Sequence, residues 1–375
     1  MEFNITATAT FGLEAVVRRE VEALGYEDTK TENGKVTFRG GPEAVAEANL
    51  HLRCADRVLI NVGEFEAKDF TELFDRVKDI PWEEYIDRDG RFPVSCTTVK
   101  STLHNPPAIQ SISKKAIASR LGEVRGQEIV PENGALYPVK ITIHKDKVDV
   151  TIDTSGEGLH KRGYRKASVN APIKETMAAA LVSLSFWNRD RILVDPCCGS
   201  GTIPIEAAMI ARNIPPGLGR SFICEEWSII GRDVWKEARR KAFAAIDYDA
   251  YPDIRGCDIS PKAVAAAVAN AEEAGVDDCI DFSVADAADL EARGNNGVII
   301  TNPPYGIRIG EKDEIEKVYK ALGSFCRRNR DWSLFMITTD PRAEKKVMGR
   351  KADRRRKLYN GRLETTYYQF HGQRV

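Results

Sequence analysis

Residues 191–212 read RILVDPCCGSGTIPIEAAMIAR. Arg191–Asp195 has the apolar character of a short buried strand, and a helix follows over Thr202–Arg212. Between them lies Asp195-Pro196-Cys197-Cys198-Gly199-Ser200-Gly201-Thr202, a strand-to-helix loop with two glycines. Outward from this point strands alternate with helices. The spacing predicts strands over Ile254–Asp258, Ile280–Ala285, Gly297–Thr301 and Ser333–Thr338. A helix with Ser260 as N-cap, Pro261 in its first turn and Gly275 at its end follows the first of these. A closing hairpin is expected at Asn360-Gly361. Alternation of this kind, from about residue 166 to 375, predicts an α/β domain on a doubly wound, mostly parallel sheet.

The chain upstream reads differently. Residues 1–66 follow the order β-α-β-β-α-β: a strand over 3–9, a helix over 12–24 and strands over 26–32 and 35–39 around Asn33-Gly34. A helix from Pro42 to about Leu52 and a strand over Arg57–Phe65 complete it. That order is ferredoxin-like. Residues 67–165 form a second αβ unit, with helices near 69–79 and from Pro106-Pro107 to Leu121. Its strands are Phe92–Val99, 138–145 and 147–153. Ser155–Pro172, rich in Gly, Ser, Lys and Arg, reads as a linker or a binding loop.

Composition narrows the function classes. The 375 residues carry 55 Lys+Arg and 56 Asp+Glu, with 42% hydrophobic and 30% charged residues. This is a globular composition, and it excludes a nucleic-acid binder that is basic all over. The charge is segregated: residues 272–291 hold eight acids and no Lys or Arg, while 342–357 hold nine Lys/Arg and two acids. Residues 160–174 add five Lys/Arg with no acid, and 100–125 five against one, so the three runs together predict a phosphate-binding track. The eight cysteines form no C-x-x-C pair, so no metal site is expected and a reduced, cytoplasmic setting fits. Met1–Thr6 lacks the charge and apolar pattern of a signal peptide, and no apolar run reaches the length of a membrane span. No membrane partner is expected. The sequence is silent on oligomeric state, with a monomer the default.

The loop after Arg191–Asp195 is neither a P-loop nor a full G-x-G-x-x-G, so pyrophosphate cofactors lose ground. Asp258 ends the next strand, where it can take ribose hydroxyls. Asp286 follows the strand after that, where it can accept from an adenine amine. Each acid alone is explained by helix capping. Together with the glycine loop they describe a site for an adenosine without a diphosphate. Gly297–Thr301 then runs into Asn302-Pro303-Pro304-Tyr305-Gly306. The prolines stiffen the turn, so that the Asn302 amide and the Pro303 carbonyl can both accept from an exocyclic amine. The Tyr305 ring can stack on a base, worth ~1–3 kcal/mol in comparable sites.

DPCCGSGT, GCDIS, VADAADL and TNPPYG together resemble the class I S-adenosylmethionine-dependent methyltransferases of base amines. Asn-Pro-Pro-Tyr is shared by adenine-N6 DNA enzymes and guanine-N2 RNA enzymes and does not choose between them. SGEGLHKRGYRKA (155–167), APIKETMAAAL (171–181), FGLEAVVRREVEALG and ADRVLI resemble the bacterial THUMP-domain RNA methyltransferases, closest to those acting on guanine N2 of 23S ribosomal RNA. The resemblance implies a Rossmann-like catalytic domain with a seven-stranded, mostly parallel sheet over 166–375, preceded by a ferredoxin-like unit (1–66) and a THUMP domain (67–165). It implies S-adenosylmethionine as cofactor, bound by Asp195, Cys197, Gly199, Ser200, Gly201, Thr202, Asp258, Ile259, Asp286 and Ala287. Asn302, Pro303, Pro304 and Tyr305 would be catalytic, and structured RNA the partner. A tRNA guanine-N2 enzyme, a DNA adenine-N6 enzyme and an RNA-binding assembly factor with a disused site remain as alternatives. Cys197-Cys198 replaces a more usual Met-Cys pair. The spacing from Asp195 to Asp258 is lengthened by Asn213–Pro252, read as a helical addition on the substrate side.

Overall fold

A computed structural model describes residues 1–166, 172–304, 311–361 and 363–373, with backbone only at 311 and 312. The chain divides into two compact units. One comprises residues 1–8, 18–159 and 221–241, the other 9–17, 160–220 and 242–375.

In the first unit, apart from residues 9–17, the elements follow as β1 (Phe3–Ala9), α1 (Glu14–Ala23), β2 (Lys30–Glu32), β3 (Lys35–Gly40), α2 (Pro42–His51) and β4 (Ala55–Glu66). After these come α3 (Phe70–Lys78), β5 (Val94–Val99), α4 (Pro106–Arg125), β6 (Val139–His144) and β7 (Lys147–Asp153). Local chemistry sets the ends. Asp69 caps α3 by accepting from the amides of Thr71 and Glu72. Asn105 caps α4 ahead of Pro106, and Gly126 closes it in the left-handed region. β2 is shorter than the strand expected over 26–32. Residues before Lys30 are drawn to α2 instead, where the Tyr26 hydroxyl donates to Glu47 at 2.6 Å.

The two αβ units read separately in the sequence share one sheet, ordered β2-β3-β1-β4-β7-β6-β5. The join is the antiparallel pairing of β4 with β7, from Leu59 opposite Asp153 to Glu66 opposite Lys147. β4, at 12 residues, is long enough to serve both halves. Part of the Asn213–Pro252 segment completes this unit rather than the catalytic one. Trp227 stacks on Tyr137 with ring centroids 4.5 Å apart, and its indole N–H donates to the Leu136 carbonyl at 2.9 Å. The Cys224 amide reaches the Thr154 carbonyl, and Ser228 bonds Asp87.

The second unit carries α5 (Glu175–Leu184), β8 (Leu193–Asp195), α6 (Thr202–Ala211), β9 (Ile254–Asp258), α8 (Pro261–Ala274), β10 (Ile280–Val284), β11 (Val298–Thr301) and α9 (Glu311–Arg328). It ends with β12 (Ser333–Thr338), α10 (Ala343–Met348), β13 (Arg354–Asn360) and β14 (Leu363–Phe370); α7 (Arg232–Ala244) begins within the segment that joins the first unit. The sheet order is β10-β9-β8-β11-β12-β14-β13. β10, β9, β8, β11 and β12 are parallel, and β14 and β13 add antiparallel strands at one edge. Every residue of β8, β11 and β12 is buried, as strands covered on both faces must be. The core under β11 and β12 joins Val194, Ile299, Leu334 and Met336 to Tyr319, Leu322 and Phe325 of α9. Each such side chain contributes ~1.5–3 kcal/mol on burial. β8 has β9 on one side and β11 on the other, so the strand order reverses there. That reversal opens a crevice at the carboxyl ends of the strands.

Candidate active site

The crevice is built from four adjacent strand ends. Asp195 ends β8, 1% exposed, with its carboxylate accepting from the Cys197 amide at 3.1 Å. The loop then turns through Gly199 (φ +54°) and Gly201 (φ +81°) into α6. A Cβ on Gly201 would lie 2.9 Å from Ala267 Cβ, so both the backbone angle and the space require glycine there. Two bonds sew the loop to β9. The Cys198 amide donates to the Cys257 carbonyl at 2.9 Å, and the Gly199 amide to Asp258 Oδ2 at 3.0 Å. Asp258 Oδ1 accepts from the Ser260 amide, and Ser260 caps α8. Phe282 of β10 lies over Gly256, where a Cβ would meet its ring at 2.6 Å.

Beyond Asp258, Ile259 is 70% exposed. Asp286 follows β10 and caps the single turn Ala287–Asp289 through the Ala288 amide at 2.9 Å; Ala287 is buried. Asp258 and Asp286 therefore do serve as turn and helix-end acceptors, as the plainer reading of each predicts. A carboxylate has about four lone-pair sites, so both keep capacity for a ligand.

Asn302 follows β11, which pairs with β8 through Ile299 opposite Val194. Its Oδ1 is buried and has no hydrogen-bond partner among the described residues. Pro303 is buried and Pro304 exposed. An orphaned buried acceptor costs ~1–3 kcal/mol, so this oxygen is open to a donor beyond the described residues, such as a substrate amine. Tyr305 lies outside the described residues.

Burial dominates the electrostatics. It raises the Asp195 carboxyl to about 7, opposed by the Thr301 hydroxyl and the Cys197 amide and helped a little by the charge of Asp258. It also pushes the Cys257 thiol up to about 12, again with Asp195 and Asp258 adding, and raises Cys198 further. These thiols stay protonated at neutral pH, which suits packing rather than nucleophilic chemistry.

Several residues of the site escaped the sequence. The run 160–174, expected to join a phosphate track, is largely committed to acids. Arg162 pairs with Glu206, both essentially buried, and Tyr164 donates to the same carboxylate at 3.1 Å. Arg165 pairs with Glu175 at 2.8 Å and Lys166 with Glu273. In 100–125, Lys114 and Arg120 are likewise paired, with Glu132 and Glu83. Their partners lie outside the windows, from 10 residues away for Glu175 to 107 for Glu273, so a count within a window misses them. One signal was present: Arg162 and Arg165 flank Gly163-Tyr164, a packing sequence rather than a solvated one.

A phosphate-free adenosine carrying an amino-acid chain suits this crevice. The glycine turn gives backbone approach, Ile259 gives an exposed apolar surface for a base, and the acids match hydroxyls and amines. Known proteins agree. Residues 162–369 match the family described as RMKL-like, methyltransferase domain; residues 4–59 match the RlmL ferredoxin-like domain and 67–153 the THUMP domain. The chain is 47% identical over 371 residues to the putative RNA methyltransferase YpsC of Bacillus subtilis, covering 98% of this chain and 96% of that one. A crystal structure of SMU.472, a putative methyltransferase complexed with SAH, superposes with a TM-score of 0.94 at 45% identity, covering 100% and 99% of the two chains. That of a predicted N6-adenine-specific DNA methylase from Listeria monocytogenes superposes at 0.95 with 47% identity, covering 100% and 97%. The chain spans about half the length of ribosomal RNA large subunit methyltransferase K/L relatives, such as the 34% identical one of Syntrophotalea carbinolica, 53% of which it covers against 97% of itself. By fold, by the layout of the crevice and by these likenesses, the chain belongs to the RMKL-like methyltransferases that carry a ferredoxin-like domain and a THUMP domain ahead of the catalytic one.

Proposed function

We propose that this protein methylates the exocyclic N2 amine of a guanine in structured RNA, with 23S ribosomal RNA as the substrate, using S-adenosylmethionine. Bound S-adenosylmethionine supplies an electrophilic methyl group on a sulfonium. Asp195, Cys197, Gly199, Ser200, Gly201 and Thr202 would hold its methionine part, Asp258 its ribose, and Ile259, Asp286 and Ala287 its adenine. The Oδ1 of Asn302, buried and without a partner among the described residues, is the observation that carries the reading. A guanine amine is a weak nucleophile because its lone pair is delocalised into the ring. Asn302 Oδ1 accepts from one N–H and the Pro303 carbonyl from the other, which turns the lone pair out of conjugation and toward the methyl group. Positioning of this kind supplies most of the acceleration. No base is required before attack, since the proton leaves afterwards to water. The target base is flipped out or already unpaired, because the amine is inaccessible inside a helix. The THUMP match and the K/L relatives support an RNA substrate, and the name of the Listeria structure keeps DNA adenine as the reading to exclude.

The test is methyl transfer from labelled cofactor to 23S RNA fragments, tRNA and duplex DNA, followed by nucleoside mass spectrometry. N2-methylguanosine in the 23S fragment is expected; N6-methyladenine in DNA, or N2-methylguanosine in tRNA alone, overturns the substrate assignment. N302A is expected to slow transfer roughly 10²–10³-fold, the scale of losing one well-placed polar group, while still binding S-adenosylhomocysteine. An unchanged rate removes Asn302 from catalysis.

A further inference from the structure

Arg165 lies in the Gly- and Lys-rich segment that the sequence read as linker or RNA track, yet four of its guanidinium's five N–H groups are engaged within the catalytic unit. Nε donates to Glu175 Oε1 at 2.8 Å and Nη1 to Ser200 Oγ at 3.3 Å. Nη2 donates to the Ile173 carbonyl at 3.0 Å and to Thr202 Oγ1 at 3.1 Å. The side chain of Glu175 is 6% exposed, so this is an anchored pair. One residue on, the Lys166 amide donates to Asn270 Oδ1 at 3.1 Å, and Asn270 Nδ2 donates to the Ser200 carbonyl at 3.1 Å. Ser200 is thus gripped at its hydroxyl by Arg165 and at its carbonyl through Asn270. It sits between Gly199 and Gly201, both at positive φ, where the backbone is otherwise freest to change course.

We propose that Arg165, with Asn270, is a positioning residue for the cofactor. It ties the residues that precede α5 to the Gly199–Thr202 turn and so fixes the course of the backbone that the ligand would meet. The inference rests on the methyltransferase reading of that turn. A planar fork with five donors can bridge two backbone segments and a carboxylate at once; an ammonium on a flexible stem cannot hold the same set. The same geometry withdraws this arginine from phosphate binding.

The experiment is calorimetric titration of the full chain with S-adenosylhomocysteine, alongside thermal unfolding and steady-state kinetics on RNA, for wild type, R165A, R165K, E175Q and R165A/E175Q. R165A is expected to weaken S-adenosylhomocysteine roughly 10–100-fold, the scale of a displaced binding loop, with the KM for RNA unchanged. E175Q is expected to weaken it less, and the double variant no more than R165A alone, because the two act as one unit. Wild-type affinity in R165A, or strictly additive losses, overturns the proposal. Should R165A fail to fold, R165K keeps the charge opposite Glu175 and is expected to fold while binding several-fold more weakly; wild-type affinity in R165K then overturns it. Failure of the wild type to bind S-adenosylhomocysteine overturns the cofactor reading itself, which separates the two.

Discussion

Asp195 shows how one residue can be read for its place but not for its chemistry. The sequence puts an acid at a strand end beside a glycine turn; only the packing shows that it is 1% exposed and raised to about 7. An ordinary aspartate titrates near 3.9, so between about pH 4 and 7 the folded, cofactor-free protein holds a proton that the unfolded chain has released. This contribution to stability is complete below pH ~4 and is lost as pH rises through 7, at up to ~1.4 kcal/mol per pH unit. D195N lacks the titration. Urea unfolding from pH 4.5 to 8.5 should show wild type losing stability relative to D195N up to pH ~7 and running parallel above it. Curves parallel throughout would place Asp195 in an ordinary aqueous environment. Asn302 is the complementary case: the motif names the residue, and the structure adds that its oxygen is buried with no partner among the described residues.

At the scale of elements, the strands and caps around the site were legible because their signals are local. Ser260, Pro261 and Gly275 bound α8 as the sequence predicts, with Gly275 at φ +67°. The turn through Lys145 and Asp146, both at positive φ, joins β6 to β7, in keeping with the strands expected over 138–145 and 147–153. What was not legible is which element a charged side chain answers to. Arg162 and Glu206 are 44 residues apart and meet out of contact with solvent. Removing one member of such a pair leaves a buried charge, so R162M should cost ~3–5 kcal/mol, whereas R162M/E206L should recover most of it. Denaturant midpoints check this, and a loss below ~1 kcal/mol in R162M would mean that the pair is solvated.

For the molecule as a whole, near-neutral charge conceals a division between committed and available cations. Within 342–357, Lys346, Arg350, Arg355 and Lys357 pair with Asp340, Asp353, Glu344 and Glu364. Arg356 donates to the Gly12 carbonyl. Arg342, Lys345, Lys351 and Arg354 are exposed and form no ion pair among the described residues. If RNA phosphates lie along this run, K351E/R354E should lower the slope of log affinity against log salt by about two, one per phosphate contact, and leave S-adenosylhomocysteine binding unchanged. An unaltered slope would move the RNA elsewhere. The Asn213–Pro252 segment teaches the same lesson about assembly. Its middle was read as a catalytic-domain addition, but residues 221–241 pack into the N-terminal unit through Trp227.

The sequence by itself determined the strands of the catalytic sheet and their mostly parallel character, the helices after the first two of them, the glycine turn and the acids at successive strand ends. Each of these rests on periodicity, capping or backbone preference within about a dozen residues. Only the tertiary structure decided that the two N-terminal αβ units share a single sheet, that residues 221–241 belong with them, and which arginines are buried on acids rather than free for phosphate. It also decided that Arg165 braces the turn that a cofactor would touch. Those outcomes depend on pairs separated by tens to more than a hundred residues, and the energy that selects among them comes from desolvation, which exists only once the chain has folded.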